Sequence, residues 1–126
     1  MTDRFSPEDL ALLGDAEEVR VETRAAEGAP VHRTVIWVVV DRQDRVLIRT
    51  YRGPGSRWYR EIMAMPECRI RVHHRVLDVR AVPAADPDRI AAYNEALLAK
   101  YARARSRQAM LAAELQPTTL ELVPRA

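Results

Sequence analysis

Short stretches in which apolar and polar residues alternate recur along most of this chain, and they constrain its fold more than any other feature. Residues 18–23 (Glu-Val-Arg-Val-Glu-Thr) alternate apolar and polar, the pattern of a strand buried on one face. Residues 68–72 and 76–82 alternate again, with His73-His74-Arg75 between them as the turn of a hairpin. Residues 31–40 begin by alternating and end in the apolar run Val35 to Val40, as expected of a central strand covered on both faces. Asp41-Arg42-Gln43-Asp44 then forms a hairpin connection to a strand over residues 45–51, and residues 118–123 read as a closing strand. Six short, mostly antiparallel strands in 126 residues predict a mainly β fold with flanking helices, a small barrel whose closure removes exposed sheet edges. The length favours one domain over residues 1–126.

Helix signals fall between these strands. Ser6-Pro7-Glu8-Asp9 is an N-cap followed by proline at the first helical position, with Phe5 and Leu10 spaced as a hydrophobic staple. That helix is expected to end near Gly14. Ser56 starts a short helix that runs to about Met65 and is stopped by Pro66. Asp86-Pro87-Asp88 opens the longest helix, and Ile90, Tyr93, Leu97 and Tyr101 give it one apolar stripe. Residues 103–114 are expected to continue as a second helical segment, and Arg103, Arg105 and Arg107 to be solvated surface.

Charge is concentrated. The whole chain carries a formal +2, too little to imply nucleic acid as a partner. Between Arg42 and Arg60, however, six arginines stand against one acid, Asp44. The densest part is Arg49-Thr50-Tyr51-Arg52-Gly53-Pro54-Gly55-Ser56-Arg57-Trp58-Tyr59-Arg60, a strand end, a glycine-containing turn and a helix start. Arginine forks around a helix N-terminus suit an anion, and Tyr51, Trp58 and Tyr59 supply flat apolar surface for a ring. The other reading is a solvated basic face that pairs with Glu61, Glu67 and Asp44. Trp58 is equally suited to anchor the short helix in the core, and Trp37 is expected in the core.

Other chemistry is poorly provided for. The single cysteine, Cys68, excludes an intrachain disulfide and lacks an activating base, so it reads as a buried structural thiol. His73 and His74 lack a third ligand at useful spacing, so no metal is expected. The apolar runs are too short to cross a bilayer, and no signal pattern opens the chain. No membrane partner and a cytoplasmic location are expected.

The pieces Arg49-x-x-Arg52-Gly53, Arg57-Trp58-Tyr59-Arg60 and Ala64-x-Pro66, with Lys100-Tyr101 and Thr118-Thr119-Leu120-Glu121-Leu122, resemble the split β-barrel flavin- and deazaflavin-binding proteins. These include pyridoxamine-phosphate-oxidase-like proteins and deazaflavin-dependent nitroreductases, and within them the chain looks most like a group of small bacterial proteins. The resemblance spans about residues 18–123. It implies a six-stranded antiparallel split β-barrel, a homodimer with cofactor between subunits, and FMN or a deazaflavin coenzyme passing hydride to a small organic acceptor. By the same resemblance Arg49, Arg52 and Arg57 would bind phosphate, Gly53 would shape the loop, and Trp58 and Tyr59 would border the ring. Deazaflavin relatives carry a Gly-Arg-Lys-Ser-Gly-like phosphate turn where this chain has Arg24-Ala25-Ala26-Glu27-Gly28. Only Arg24 and Gly28 keep that character, and Arg33 and Thr34 would have to compensate. The alternative is a non-catalytic barrel that binds a small anionic ligand or a protein partner.

Overall fold

A computed structural model describes residues 4–102 and 105–125. In chain order it contains α1 (Pro7–Asp15), β1 (Val19–Thr23), β2 (His32–Ile36), β3 (Val39–Val40), β4 (Val46–Ile48) and α2 (Arg57–Ala64). Then come β5 (Glu67–Val72), β6 (Arg75–Pro83), α3 (Pro87–Lys100), two short 3-10 helices (Arg105–Leu111 and Gln116–Thr118) and β7 (Leu120–Pro124).

The strands form one seven-stranded sheet in the order β2-β1-β5-β6-β7-β4-β3, and every neighbouring pair is antiparallel. Its two edge strands, β2 and β3, are consecutive in the chain and separated only by Trp37 and Val38. Three Cα–Cα steps at 3.8 Å allow at most about 11 Å between Ile36 and Val39. The sheet must therefore curl until its edges meet, which makes it a split barrel.

The same junction explains why seven strands appear where six were expected. The run 31–40 is one strand by composition, but its first half pairs with β1 and its last two residues pair with β4. Between them Val38 bonds outside the ladder. Its N–H donates to Tyr101 Oη at 3.4 Å, and its carbonyl accepts from Lys100 Nζ at 2.6 Å. Tyr101 Oη in turn donates to the carbonyl of Glu17 at 2.6 Å. Side chains from the end of α3 thus satisfy the backbone groups that a continuous ladder would have used.

Local chemistry sets the helix ends. Ser6 Oγ accepts from the Asp9 N–H at 3.1 Å, and an Asp86 carboxylate oxygen accepts from the Arg89 N–H at 3.1 Å. Each cap is followed by a proline at the first helical position. α2 stops at Ala64, two residues before Pro66. α3 stops at Lys100, where Tyr101 leaves helical geometry at φ −106°, ψ 39°. The helical segment expected over 103–114 is a 3-10 helix from Arg105, and residues 103 and 104 lie outside the described residues. The β5–β6 turn is His73-His74, with Val72 paired to Arg75.

Two cores result. Leu13, Val19, Val21, Ile62, Ile70, Val79 and Leu122 fill the barrel. Val39, Leu47, Tyr93, Leu97 and Leu115 form a second core that includes the buried face of α3. β4 divides between them: Val46 and Ile48 face the barrel and Leu47 the second core, so all three residues are buried. Cys68 packs in the barrel core, and burial pushes its thiol up to about 12, the state of an inert sulfur.

Candidate functional site

β4 is followed by the buried pair Arg49-Thr50, and the chain then turns through Arg52 and Gly53 into α2. The Thr50 hydroxyl organises this turn. It donates to the Gly53 carbonyl at 3.2 Å, accepts from the Arg52 N–H at 3.2 Å, and lies 3.0 Å from Ser56 Oγ. Gly53 has φ +84°, the left-handed region that favours glycine. Ser56 is the N-cap residue of α2, but its hydroxyl faces Thr50 and makes no cap bond.

Against this turn lies the outer part of β2, and a cleft of about 410 Å³ opens between them. Thr34, Arg49, Arg52 and Trp58 line it together, with Trp37 and Tyr51 as further walls. Trp37 stacks on Tyr101, centroids 4.0 Å apart and planes 5° from parallel, so its ring is held flat. Trp58 is 6% exposed and belongs to the barrel core, so the two readings of this residue coexist: it anchors α2 and forms part of the cleft.

Arg49 is the unusual member. It is 1% exposed. Nε donates to Thr119 Oγ1 at 2.8 Å, and Nη1 donates to Asn94 Oδ1 at 2.8 Å and to the Met110 carbonyl at 2.9 Å. The guanidinium lies 4.0 Å over the Tyr93 ring. Nη2 is buried with no partner, and among the described residues no carboxylate pairs with Arg49. Burial lowers its pKa, and the nearby Tyr93 acts weakly the other way. A buried cation without a counter-charge is costly unless something compensates it. With Arg52 on the same wall and no acidic side chain in the lining, the cleft suits an anionic group.

The remaining sequence candidates are elsewhere. Gly53 shapes the turn but does not line the cleft, and neither do Arg57 or Tyr59. Arg57 is exposed, and its charge acts on Glu61. Tyr59 packs on the barrel core, edge-on to Trp58 at 6.2 Å. Arg33 is bound to Glu22 at 2.7 Å, and Arg71 bonds the same carboxylate. Arg24 is held by Glu27 at 3.2 Å. Burial works to raise the Glu22 carboxyl, but the two arginines outweigh it and hold the group below its ordinary value. Of the arginines that could serve a ligand, Arg24 and Arg33 are therefore engaged by acids.

Sequence reading missed Met110, which reaches the cleft from the 3-10 helix, and it placed Trp37 in the core alone. No local signal marks Met110, because its place depends on the chain returning past Arg49. No group of three or more His, Cys, Asp or Glu side chains stands close enough to hold a metal among the described residues. Among the same residues no helix is long and apolar enough to cross a membrane.

A curled antiparallel sheet closed at a strand junction, with helices outside, defines a split-barrel protein, and solved structures share this architecture. The Agrobacterium tumefaciens protein Atu2129, of unknown function, matches with a TM-score of 0.69 at 12% identity over 98% of this chain. This chain spans only 56% of that protein. HutZ, the heme storage protein of Vibrio cholerae, matches with a TM-score of 0.66 at 12% identity, over 98% of this chain and 92% of HutZ. An F420-H2 dependent reductase matches with a TM-score of 0.61 at 15% identity, over 85% of this chain and 93% of the reductase. These likenesses show the fold. Residues 9–122 match a bacterial family described as "Uncharacterized protein conserved in bacteria (DUF2255)", and the chain belongs to that family. Among curated proteins none matches it.

Proposed function

We propose that the cleft between β2 and the β4–α2 turn binds an anionic, ring-bearing cofactor of the FMN or deazaflavin kind, and that the protein is a homodimeric oxidoreductase acting on a small organic acceptor. The observation that carries this reading is Arg49, a buried guanidinium that, among the described residues, has no carboxylate partner and one unpaired nitrogen, and that lines a cleft with no acid among those residues. The cleft volume of about 410 Å³ falls within the range of ordinary ligand sites. The F420-H2 dependent reductase that shares the fold supports a deazaflavin.

Such a cofactor supplies the hydride chemistry itself, which agrees with a lining that contains no histidine, cysteine or carboxylate. The chain's own residues bind and orient. Arg49 and Arg52 neutralise the anionic group, Thr34 offers a hydroxyl, and Trp37, Tyr51 and Trp58 exclude water from the ring. Val35 and Tyr51, 48% and 58% exposed, also line the cleft and give a second copy of the chain an apolar surface to cover.

A second reading is favoured by the engagement of Arg24 with Glu27 and of Arg33 with Glu22. With those cations occupied, the cleft would take a small anion without any redox chemistry. Titration of purified protein with FMN, FAD, a deazaflavin, heme and inorganic phosphate separates the two. Saturable binding of a flavin or deazaflavin supports the first reading, and binding of phosphate alone supports the second. Failure to bind any of the five overturns both. A monomer by sedimentation, with ligand present, overturns the dimer.

A further inference from the structure

Lys100 is the only lysine among the chain's 20 lysines and arginines. It stands half-buried at the end of α3, where Nζ donates to the carbonyls of Val38 at 2.6 Å and Leu13 at 2.9 Å. These bonds tie α3 to α1 and to the β2–β3 junction. Anchoring alone does not account for a lysine here. Arginine offers more donors and stays charged, and this chain uses it at every other basic position.

Two accepting carbonyls match the two N–H groups of a neutral amine. The third tetrahedral position of Nζ has no hydrogen-bond partner among the described residues, and it carries the lone pair when the amine is neutral. The Tyr101 ring centre is 5.3 Å away. Lys100 also lines a second cleft of about 630 Å³, between α3 and the β3–β4 hairpin, which shares no lining residue with the first. Ala92, Ala96 and Ala99 give this cleft a low, uncluttered wall. Its charged side chains are engaged with one another: Arg42 with Glu95 at 2.6 Å, and Arg45 with Asp41 at 2.7 Å and Asp88 at 2.9 Å. Burial pushes the Lys100 amine down to about 8, against the pull of Asp15 at the end of α1. Desolvated lysines of this kind form Schiff bases with carbonyl compounds.

We propose that Lys100 is a nucleophilic amine that condenses reversibly with the carbonyl carbon of a small uncharged aldehyde held in this second cleft. The Nζ lone pair forms the C–N bond as the carbonyl π pair moves onto oxygen, which takes up a proton. The carbinolamine then loses water, which carries away the carbonyl oxygen and the two amine hydrogens, and a C=N bond remains. No oxidant or reductant is consumed. An uncharged aldehyde fits because the ionic groups of the walls already pair with one another.

The test uses the full-length protein at neutral pH with glyceraldehyde, and with cyanoborohydride as the hydride donor that fixes any imine as a stable amine. Peptide mass mapping locates the product. The expected result is an adduct at Lys100 formed at least about tenfold faster than on free Nα-acetyl-lysine, the minimum that a pKa lowered by more than one unit implies. Its rate should rise with pH around 8 and level off below the ordinary lysine range. Without the hydride donor, the parent mass should return on dialysis. Lys100→Arg keeps a cation and donors, and should retain the far-UV spectrum and lose the adduct. Labelling of the Met1 amine alone, or labelling of Lys100 no faster than the free amino acid, overturns the proposal even if Lys100→Arg fails to fold.

Discussion

The guanidinium carbon of Arg49 lies 4.0 Å from the centre of the Tyr93 ring, and each side chain keeps one buried polar atom unpaired, Nη2 on the arginine and the hydroxyl on the tyrosine. The face of an aromatic ring attracts a cation, so α3 supplies a weak partner for a charge that no carboxylate among the described residues meets. Burial pushes the Tyr93 hydroxyl far above its ordinary value, with Arg49 acting to lower it, so Tyr93 remains neutral. The pair couples the second core to the wall of the candidate cleft.

Arg49 is expected to matter to folding as well as to binding. Arg49→Met removes the bonds to Thr119, Asn94 and Met110 and should cost about 3 kcal/mol, since bonds from a charged donor are among the stronger ones. Urea unfolding measures this. An unchanged midpoint would show that the three bonds contribute nothing net.

Arg52 is exposed and makes no side-chain ion pair among the described residues, so its loss should spare the fold. Arg52→Ala should leave the melting temperature within a degree or two, on the order of surface substitutions. It should weaken affinity for the cleft's anionic ligand by more than about 1.5 kcal/mol. Unchanged affinity in the titration would remove Arg52 from the site.

Acid should unfold this protein through two buried carboxylates. Glu22 is held by Arg33 and Arg71, and Glu61 accepts from Thr23 Oγ1 at 2.9 Å and meets His32 Nδ1 at 3.0 Å. For each, burial works to raise the carboxyl and the bonds outweigh it, so the folded value lies below the ordinary 4.5. The stability they contribute is present above 4.5 and is lost as pH falls through the lowered folded values. Glu22→Gln and Glu61→Gln should each be less stable at neutral pH and lose less on acidification. A midpoint that falls with acid as steeply in both variants as in the wild type would assign the acid sensitivity to other groups.

At alkaline pH, Lys100 and Cys68 act in opposite directions. Burial holds the Lys100 amine down at about 8 in the folded protein, against an ordinary value of 10.5. Between those values the unfolded chain binds more protons, so stability should rise with pH. Cys68 is raised from 9.0 to about 12, so above 9 the unfolded chain loses that proton first and stability should fall. Chemical denaturation should therefore show a rise from pH 8 towards 9 that is absent in Lys100→Met. A wild-type curve parallel to the variant's across that interval would contradict the depressed amine.

Much of this fold was legible in local sequence. Ser6-Pro7 and Asp86-Pro87 mark helix starts through the chemistry of their own side chains, and His73-His74 marks a turn between two alternating runs. The break at Trp37-Val38 was not legible. No glycine or proline interrupts residues 31–40, and the groups that hold the break open, Lys100, Tyr101 and the Glu17 carbonyl, are distant in sequence. Arg49 stood out as an arginine beside a turn, but its burial depends on Asn94, Met110 and Thr119, which arrive from three later segments. Thr34, Arg52 and Trp58 were named and do share the cleft with it. Arg33 was named too, but its register opposite Glu22 commits it to that acid. Lys100 was visible in the simplest statistic of all, a count of one, which becomes informative only beside nineteen arginines.

The two-residue seam between β2 and β3 ties strand order to side-chain phase. In a hairpin, loop length can change while the flanking strands keep their faces. Here, one added residue between Ile36 and Val39 would reverse the facing of β3 relative to β2, turning Val39 away from Tyr93 and Leu97 or Ile36 out of the barrel. It would also slide Val38 off Lys100, so a single codon inserted there would disturb both cores, both clefts and the closure of the sheet together.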